Sequence, residues 1–552
     1  MSNIMSMADI KNRPSRNGFD LSFKKNFSAK AGELLPIMTK VVLPGDSFNI
    51  NLKSFTRTQP LNTSAFARMR EYYDFYFVPF EQMWNKFDSM VTQMTQNVQH
   101  ASGPTLDDNV PLSGGMPYFT SAQVAEYLNS QNKASVTNPF GFKRSTLTCK
   151  LMSYLGYGDY STYDSSDKTW KTDPLLYNLN LSPFPLLAYH KIYSDFYRYS
   201  QWEKTNPSTF NLDYIKGTND LQMDISGLVS DDYNFFDMRY CNYQKDMFHG
   251  VLPVAQYGSA AVVPISGGLT VTGDGIPKFT LNAGAGSPLS GFSETYVQLG
   301  GSPQPNQPYN PTALMAKNST AGSTYGAFAW SDPALSVQSD NAQFAVSVLA
   351  LRQAEFMQKW KEVSVSGDED YKTQIQKHWN ITVSEFLSHQ SRYLGGCATS
   401  LDINEVVNNN ITGDNAADIA GKGTFTGNGS IRFESKGEYG IIMCIYHVLP
   451  IVDYVGSGVD HACTLTDATS FPIPELDQVG MESVPLVRAM NPLKSGAPSA
   501  ETFLGYAPRY IDWKTAVDRS VGAFSGSLRT WCLPMGGCAA DSFDETAEWK
   551  RC

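Results

Sequence analysis

Apolar and polar residues alternate through Phe48, Ile50 and Leu52, with Asn49 and Asn51 between them. A two-residue period of this kind predicts a strand with one buried face. Residues 72–78 are aromatic or apolar on both alternating faces, apart from Asp74, which suits a strand covered on both sides. The run 441–449 is almost continuously apolar and short for a helix, so it predicts a central buried strand. Pro44, Gly45 and Asp46 predict a turn, because proline sets one backbone angle and glycine frees the next.

A helical period appears twice. Over 186–200, Leu186, Tyr189, Tyr193, Phe196 and Tyr197 fall on one face; over 341–361, Ala345, Val348, Leu349, Phe356 and Trp360 do the same. Asp340, followed three residues later by Gln343, fits a capping box for the second helix. Strands carrying long helices and loops predict a mainly β chain, a β-sandwich core with decorations, and not a doubly wound sheet.

Two stretches interrupt this pattern. Residues 258–339 hold 12 Gly and 8 Pro, with Lys278, Lys317, Asp274, Glu294 and Asp332 as their only charges. Leu269 with Val271, and Phe279 with Leu281, keep the strand period, so a small β-rich subdomain is expected and not one long loop. Residues 100–180 read as irregular, with Tyr154, Tyr157, Tyr160 and Tyr163 three apart. Tyrosine gives contact area at low entropy cost, so this spacing suits a subunit interface; it equally suits packing of a long loop on its own domain.

Composition sharpens the picture. Aromatic residues make up 12% and charged residues 17% of the 552, as expected of a chain that hides surface against neighbours. No run of 18 apolar residues predicts a membrane span, and residues 1–9 carry no secretion signal. Eight scattered Cys without CxxC pairs read as reduced thiols. Net charge is −10, yet residues 1–32 hold Lys11, Arg13, Arg16, Lys24, Lys25 and Lys30 against Asp9 and Asp20. Phe19, Phe23 and Phe27 interleave with these cations, so the arm offers both phosphate neutralisation and base stacking. Lys11, Arg13, Arg16, Lys24 and Lys25 are the DNA-facing candidates. Two other readings stay open: a strand through Phe19, Leu21 and Phe23 that docks on a neighbouring subunit, and a solvated terminus.

Enzyme patterns fail one by one. Ala416 stands where a phosphate-binding loop ending at Gly421 and Lys422 needs its first glycine. Between Gly522 and Gly526 the serine, Ser525, falls one place late for a nucleophile elbow. The seven His include no HExxH, and His461 with Cys463 is one pair, not a metal site. His447, inside the apolar run, reads as a hydrogen-bonded core histidine. No catalytic residue, cofactor or metal is expected.

A resemblance adds to this reading. Residues 344–363, 371–386 and 392–407 set a long helix, a short helix, a Gly-Gly break and an extended segment in order. Leu351, Arg352, Gln353 and Ala354 lie in the first, and Tyr393, Leu394, Gly395 and Gly396 form the break. With segments 16–23, 43–48, 55–61, 73–84, 186–198, 240–258, 442–454 and 504–514, the chain resembles the major capsid protein of the Microviridae, the small single-stranded DNA phages. It is most similar to the gokushovirus-like and gut-phage branches.

The resemblance implies a single viral jelly roll, an eight-stranded antiparallel β-sandwich with long helical and loop insertions. It also implies sixty copies in a T=1 icosahedral shell around circular single-stranded DNA. Implied partners are a small basic DNA-binding protein, a minor pilot protein, and an internal scaffolding protein during assembly. The implied location is the virion, with host cytoplasm during assembly. The chain then divides into a basic arm (1–32), a first core part (33–257), a surface protrusion (258–339) and a second core part (340–552). The neutral 258–339 surface suits weak, multivalent contact with a host-surface glycan. Tyr154, Tyr157, Phe503, Tyr506, Arg509, Tyr510, Trp513 and Trp531 are the inter-subunit candidates. The competing class is a spike or lectin-like β-sandwich adhesin, and a glycan-active enzyme, which needs two carboxylates flanking one cleft, is third.

Overall fold

Seven antiparallel strands make two facing sheets: β1 (Leu35–Val42), β2 (Ser47–Arg57), β3 (Met69–Pro79), β4 (Arg392–Ser400), β5 (Asp402–Val407), β6 (Ile419–Glu434) and β7 (Gly440–Pro450). The order is β1-β7-β3-β4 in one sheet and β5-β6-β2 in the other. This computed structural model describes residues 17–59, 66, 68–92, 115–132, 144–164, 169–172, 177–215, 222–225, 235–263, 348–384, 388–407, 419–455, 458–477, 479–489, 502–525, 527–528, 531–532 and 534–535, with short strands between 270 and 338. The sandwich therefore has seven strands among the described residues, against the eight expected.

The four-stranded sheet is a middle layer. Tyr73, Phe75 and Phe77 of β3 pair with Tyr446, Cys444 and Ile442 of β7. On that face the Phe77 ring lies 4.7 Å from Phe433 of β6, across the sandwich. On the opposite face Tyr76 meets Phe196 and Tyr197. Both faces are covered, which is why β3 and β7 read as nearly continuous apolar runs. β2 instead keeps one face in water and so alternates strictly between half-buried and exposed positions. The turn before it closes through Gly45, at φ 80°, and through the Asp46 carboxylate, which accepts from the Leu43 N–H at 3.1 Å.

Helices cover the other side of the middle sheet. They include α1 (Ser121–Asn132), α2 (Arg144–Leu155) and α3 (Phe184–Ile192). The first two correct the expectation of an irregular 100–180. Thr120 and Gln123 form reciprocal capping bonds at the start of α1. Leu147, Leu151 and Leu155 recur every four residues in α2 and are buried. The helix expected over 186–200 begins earlier and continues as a π turn over Tyr193–Tyr197. Every residue of α3 except Pro185 is buried, so it is a core helix and has no solvent face. The second expected helix is α4 (Val348–Val365); Asp340, Gln343 and Ala345 lie outside the described residues. It is followed by α5 (Tyr371–Trp379), capped by the Asp370 side chain, which accepts from Thr373 N–H at 2.9 Å.

A second, smaller core gathers Met247, Phe248, Val251, Tyr454, Val484 and Ala507. It is closed by the hairpin-like pair β8 (Met481–Pro485) and β9 (Phe503–Pro508), and Tyr506 exchanges main-chain hydrogen bonds with Leu252 at 2.7 and 2.8 Å.

Contacts divide the chain into two compact units, Met1–Gly258 with Lys359–Cys552, and Ser259–Gln358. The second unit holds a five-stranded antiparallel sheet in the order Ser287–Pro288, Phe279–Ala283, Tyr325–Trp330, Leu314–Asn318, Thr295–Leu299. Thr270–Thr272 pairs with Ser336–Gln338 beside it in sequence.

Candidate interaction surfaces

The basic arm is partly tied down. Phe27 packs edge-on against Tyr446, 4.9 Å between centroids, so the arm reaches the main core. Lys25 Nζ donates to the Tyr154 carbonyl at 2.8 Å, and burial lowers its pKa from the usual lysine value. The Tyr154 hydroxyl in turn donates to the Ser28 carbonyl and accepts from the Ser28 N–H. Tyr157 donates to the Ser182 carbonyl at 2.6 Å, with its ring against Phe119. Lys25, Tyr154 and Tyr157 thus bond within their own chain. Lys24 stays exposed, while Lys11, Arg13 and Arg16 lie outside the described residues. Phe19, Leu21 and Phe23 are exposed, Phe19 to 80%.

The C-terminal candidates fall into separate patches. Phe503 and Tyr506 stack obliquely on β9, 5.3 Å apart. Tyr510 takes a left-handed backbone (φ 62°), and its hydroxyl accepts from the Ile473 N–H at 3.0 Å. Arg509 is half-buried, with its Nε lacking a hydrogen-bond partner. Trp513, half exposed, lies against His461 and Phe471. Trp531 meets Phe66, whose N–H donates to the Trp531 carbonyl. Phe66 and Phe471 escape sequence reasoning because each is an isolated aromatic in a loop, with no periodic signal. The apolar face read for the second helix is open: Val348, Leu349, Phe356 and Trp360 of α4 are all exposed, as are Trp379 and Ile381 after α5. Apolar surface left open in this way marks a contact site.

A buried polar cluster sits between the middle sheet and the helical layer. Asp74 accepts from the hydroxyls of Tyr393 at 3.1 Å and Tyr197 at 3.3 Å, and lies 3.9 Å from His447 Nδ1. Burial pushes the Asp74 carboxyl up to about 6, against the pull of those hydroxyls. Burial pushes His447 down to about 4. His447 is a core histidine as expected, but it is held by stacking on Tyr72, 4.8 Å away, and its Nδ1 has no hydrogen-bond partner.

These shifts act on stability in opposite senses. A carboxyl raised in the fold favours the native state at low pH and loses that contribution as pH rises from its unfolded value towards 6. A histidine lowered in the fold contributes fully above its unfolded value and loses that as pH falls towards 4. Between pH 4 and 6 the two slopes cancel. Relative to wild type, Asp74→Asn should gain stability with rising pH in that window, by about 1.4 kcal/mol per unit, and His447→Gln should lose it at the same rate. Denaturant midpoints at three pH values check this; parallel curves for all three proteins would refute it.

The family model for the capsid protein, F protein, matches residues 8–135 and 145–534. The chain belongs to this phage capsid protein family. Capsid protein VP1 of Bdellovibrio phage phiMH2K is 21% identical over 527 residues, covering 94% of this chain and 85% of the relative. Capsid protein VP1 of Chlamydia phage 1 is 22% identical over 578 residues, covering 96% and 88%. Both come from Microviridae, the family the sequence motifs resemble. A capsid protein assembles into a shell with its own copies, so its place is the virion and its working parts are surfaces. The exposed aromatic and apolar groups of this capsid chain are the groups such assembly can cover. Among the described residues, no helix is long and apolar enough to cross a membrane.

Proposed function

We propose that the chain is the major capsid protein of a T=1 icosahedral shell of sixty copies around a circular single-stranded DNA genome. The observation that carries this is the family match over nearly the whole chain. The strand order supports a single jelly roll as the building unit: the first strand lies beside the last, the last beside the third, and β2 pairs with β6 on the facing sheet. Two facing antiparallel sheets joined in this Greek-key order are how a jelly roll is wound, with the long connection from β3 to β4 carrying the helices.

Assembly then distributes binding over many modest contacts repeated about the symmetry axes. Phe503, Trp513, Trp531 and Trp379 are the groups of the first unit proposed to make them, with Phe19, Leu21 and Phe23 of the arm. A chain of net −10 leaves most genome charge to other partners, which favours a small basic DNA-binding protein inside the shell. An internal scaffolding protein and a minor pilot protein complete the proposed partners. The 258–339 segment is proposed as a surface protrusion that contacts host-surface glycans.

Negative-stain electron microscopy of the chain, expressed alone and with its genomic neighbours, tests the reading. Uniform icosahedral shells are the expected result. Monomers or small oligomers under every condition would favour the adhesin.

A further inference from the structure

We infer that the solvent face of the β2–β6 ribbon is a binding platform for single-stranded nucleic acid. This deepens the proposed function and rests on the reading that the chain encloses a single-stranded DNA genome. The middle sheet is covered on both sides, and β2 and β6 turn one face to it. Their other face is open to solvent.

The pairing register assigns what stands on that face. Arg432 lies opposite Asn49, Asn428 opposite Lys53, Thr426 opposite Phe55, and Thr424 opposite Arg57. Lys422 follows two residues beyond Thr424, so the alternation places it on the same face. Lys53, Arg57, Lys422 and Arg432 thus outnumber two carboxylates, Glu434 at the far end and Asp402 of β5, which the register sets opposite Thr424; apart from Phe55, the remaining β2 and β6 positions are Asn, Ser and Thr. None of the four cations is in an ion pair with another described residue. On an acidic chain, a strip about 34 Å long with this charge, from Arg432 to Lys422, is complementary to a polyanion.

The aromatic group decides which polyanion. Phe55 is 62% exposed near the C-terminal end of β2, and the Arg57 guanidinium lies 4.9 Å from its ring centroid. An exposed ring backed by a guanidinium is a surface on which an unpaired base stacks, while flanking cations hold phosphates. A paired duplex hides its base faces and gives Phe55 nothing to stack on. The strip has no pocket to select one base, so binding tolerates any sequence.

The test measures binding of a fluorescent thirty-residue oligo-dT to the purified full chain over a range of salt. Lys53→Ala with Arg432→Ala should flatten the log–log salt slope by about 1.4, two phosphate contacts at about 0.7 each for single strands. Phe55→Ala should weaken binding about tenfold and leave the slope unchanged. Lys204→Ala with Lys245→Ala, which removes the same charge elsewhere, should move neither. Particles assembled from the first double variant should carry less DNA than wild type. Unchanged affinity and slope in both ribbon variants would overturn the proposal, as would a wild-type chain that does not bind the oligonucleotide. Loss of shells by the ribbon variants with oligonucleotide binding intact would also overturn it, and assign the face to a second copy of the chain. Failure of wild type to form shells is a separate outcome and strikes the capsid reading itself.

Discussion

Gly429→Ala is expected to lower the yield of soluble, assembled protein several-fold, and Cys397→Ala in the same chain to restore much of it. Gly429 lies on the inner face of β6, facing Cys397 of β4. A Cβ built there sits 1.7 Å from Cys397 Sγ on β4, well inside any non-bonded contact. The sulfur cannot retreat far, because Cys397 pairs with Tyr73 in the middle sheet and its own Cβ is 3.3 Å from the new methyl. Either the sheets separate locally or the cysteine leaves its rotamer. Overpacking of this kind costs about 1–3 kcal/mol, and more where neither side yields. Set against a total stability of about 5–15 kcal/mol for an ordinary domain, that leaves the chain folded but lowers its thermal midpoint and its abundance several-fold. Removing the sulfur leaves a tight but tolerable contact, which is why the double variant recovers. Cys397→Ala alone should be nearly silent. Soluble yield and thermal midpoints of the four proteins form the cycle; a Gly429→Ala variant indistinguishable from wild type would show that the sheets are farther apart than described.

Deleting residues 503–552 should eliminate shells and uncover the smaller core while leaving the two-sheet sandwich folded. The buried residues of the sandwich and its helical layer end at Val448, so none belongs to the deleted segment. The second core does depend on it. β9 supplies Ala507 and shields Val251 and Val484, and its loss strips pairing from β8 and from Leu252. Each large apolar side chain newly exposed costs about 1.5–3 kcal/mol and makes the product adhesive. The deletion also removes Phe503, Trp513 and Trp531, which are proposed subunit contacts. Limited proteolysis should yield a protected core that retains β1 to β7, and electron microscopy should show no particles. Intact particles from the truncated chain would remove the C-terminal segment from the assembly interface.

Much of this molecule is written in local periodicity. The alternation at Phe48, Ile50 and Leu52 predicts β2, the unbroken apolar run predicts β7 as a central strand, and Pro44 to Asp46 predicts the turn before β2. Family membership was legible too, because collinear motifs survive from end to end where any single one is too short to decide. Two helices were legible but missed: Thr120 with Gln123 is a capping box, and the four-residue spacing of Leu147, Leu151 and Leu155 was hidden by the tyrosines that follow.

Other features belong to the tertiary structure alone. Periodicity says that a residue faces one side, but not what waits there. Ser54 and Gly427 meet across 373 residues of chain, and the crowding of Gly429 against Cys397 is equally non-local. Lys25 reads as a free cation until the fold brings the Tyr154 carbonyl to it. The periodicity of α4 sets its apolar residues on one face, but only the fold shows that face exposed. Asp74 and His447 acquire opposed titrations only because the middle sheet and the helical layer bury both in one place. The sequence by itself determined which segments are strands, which are helices and to which family the chain belongs, since those depend on neighbours within a few residues. Only the tertiary structure decided which surfaces remain open for assembly, because burial is settled by contacts between segments hundreds of residues apart.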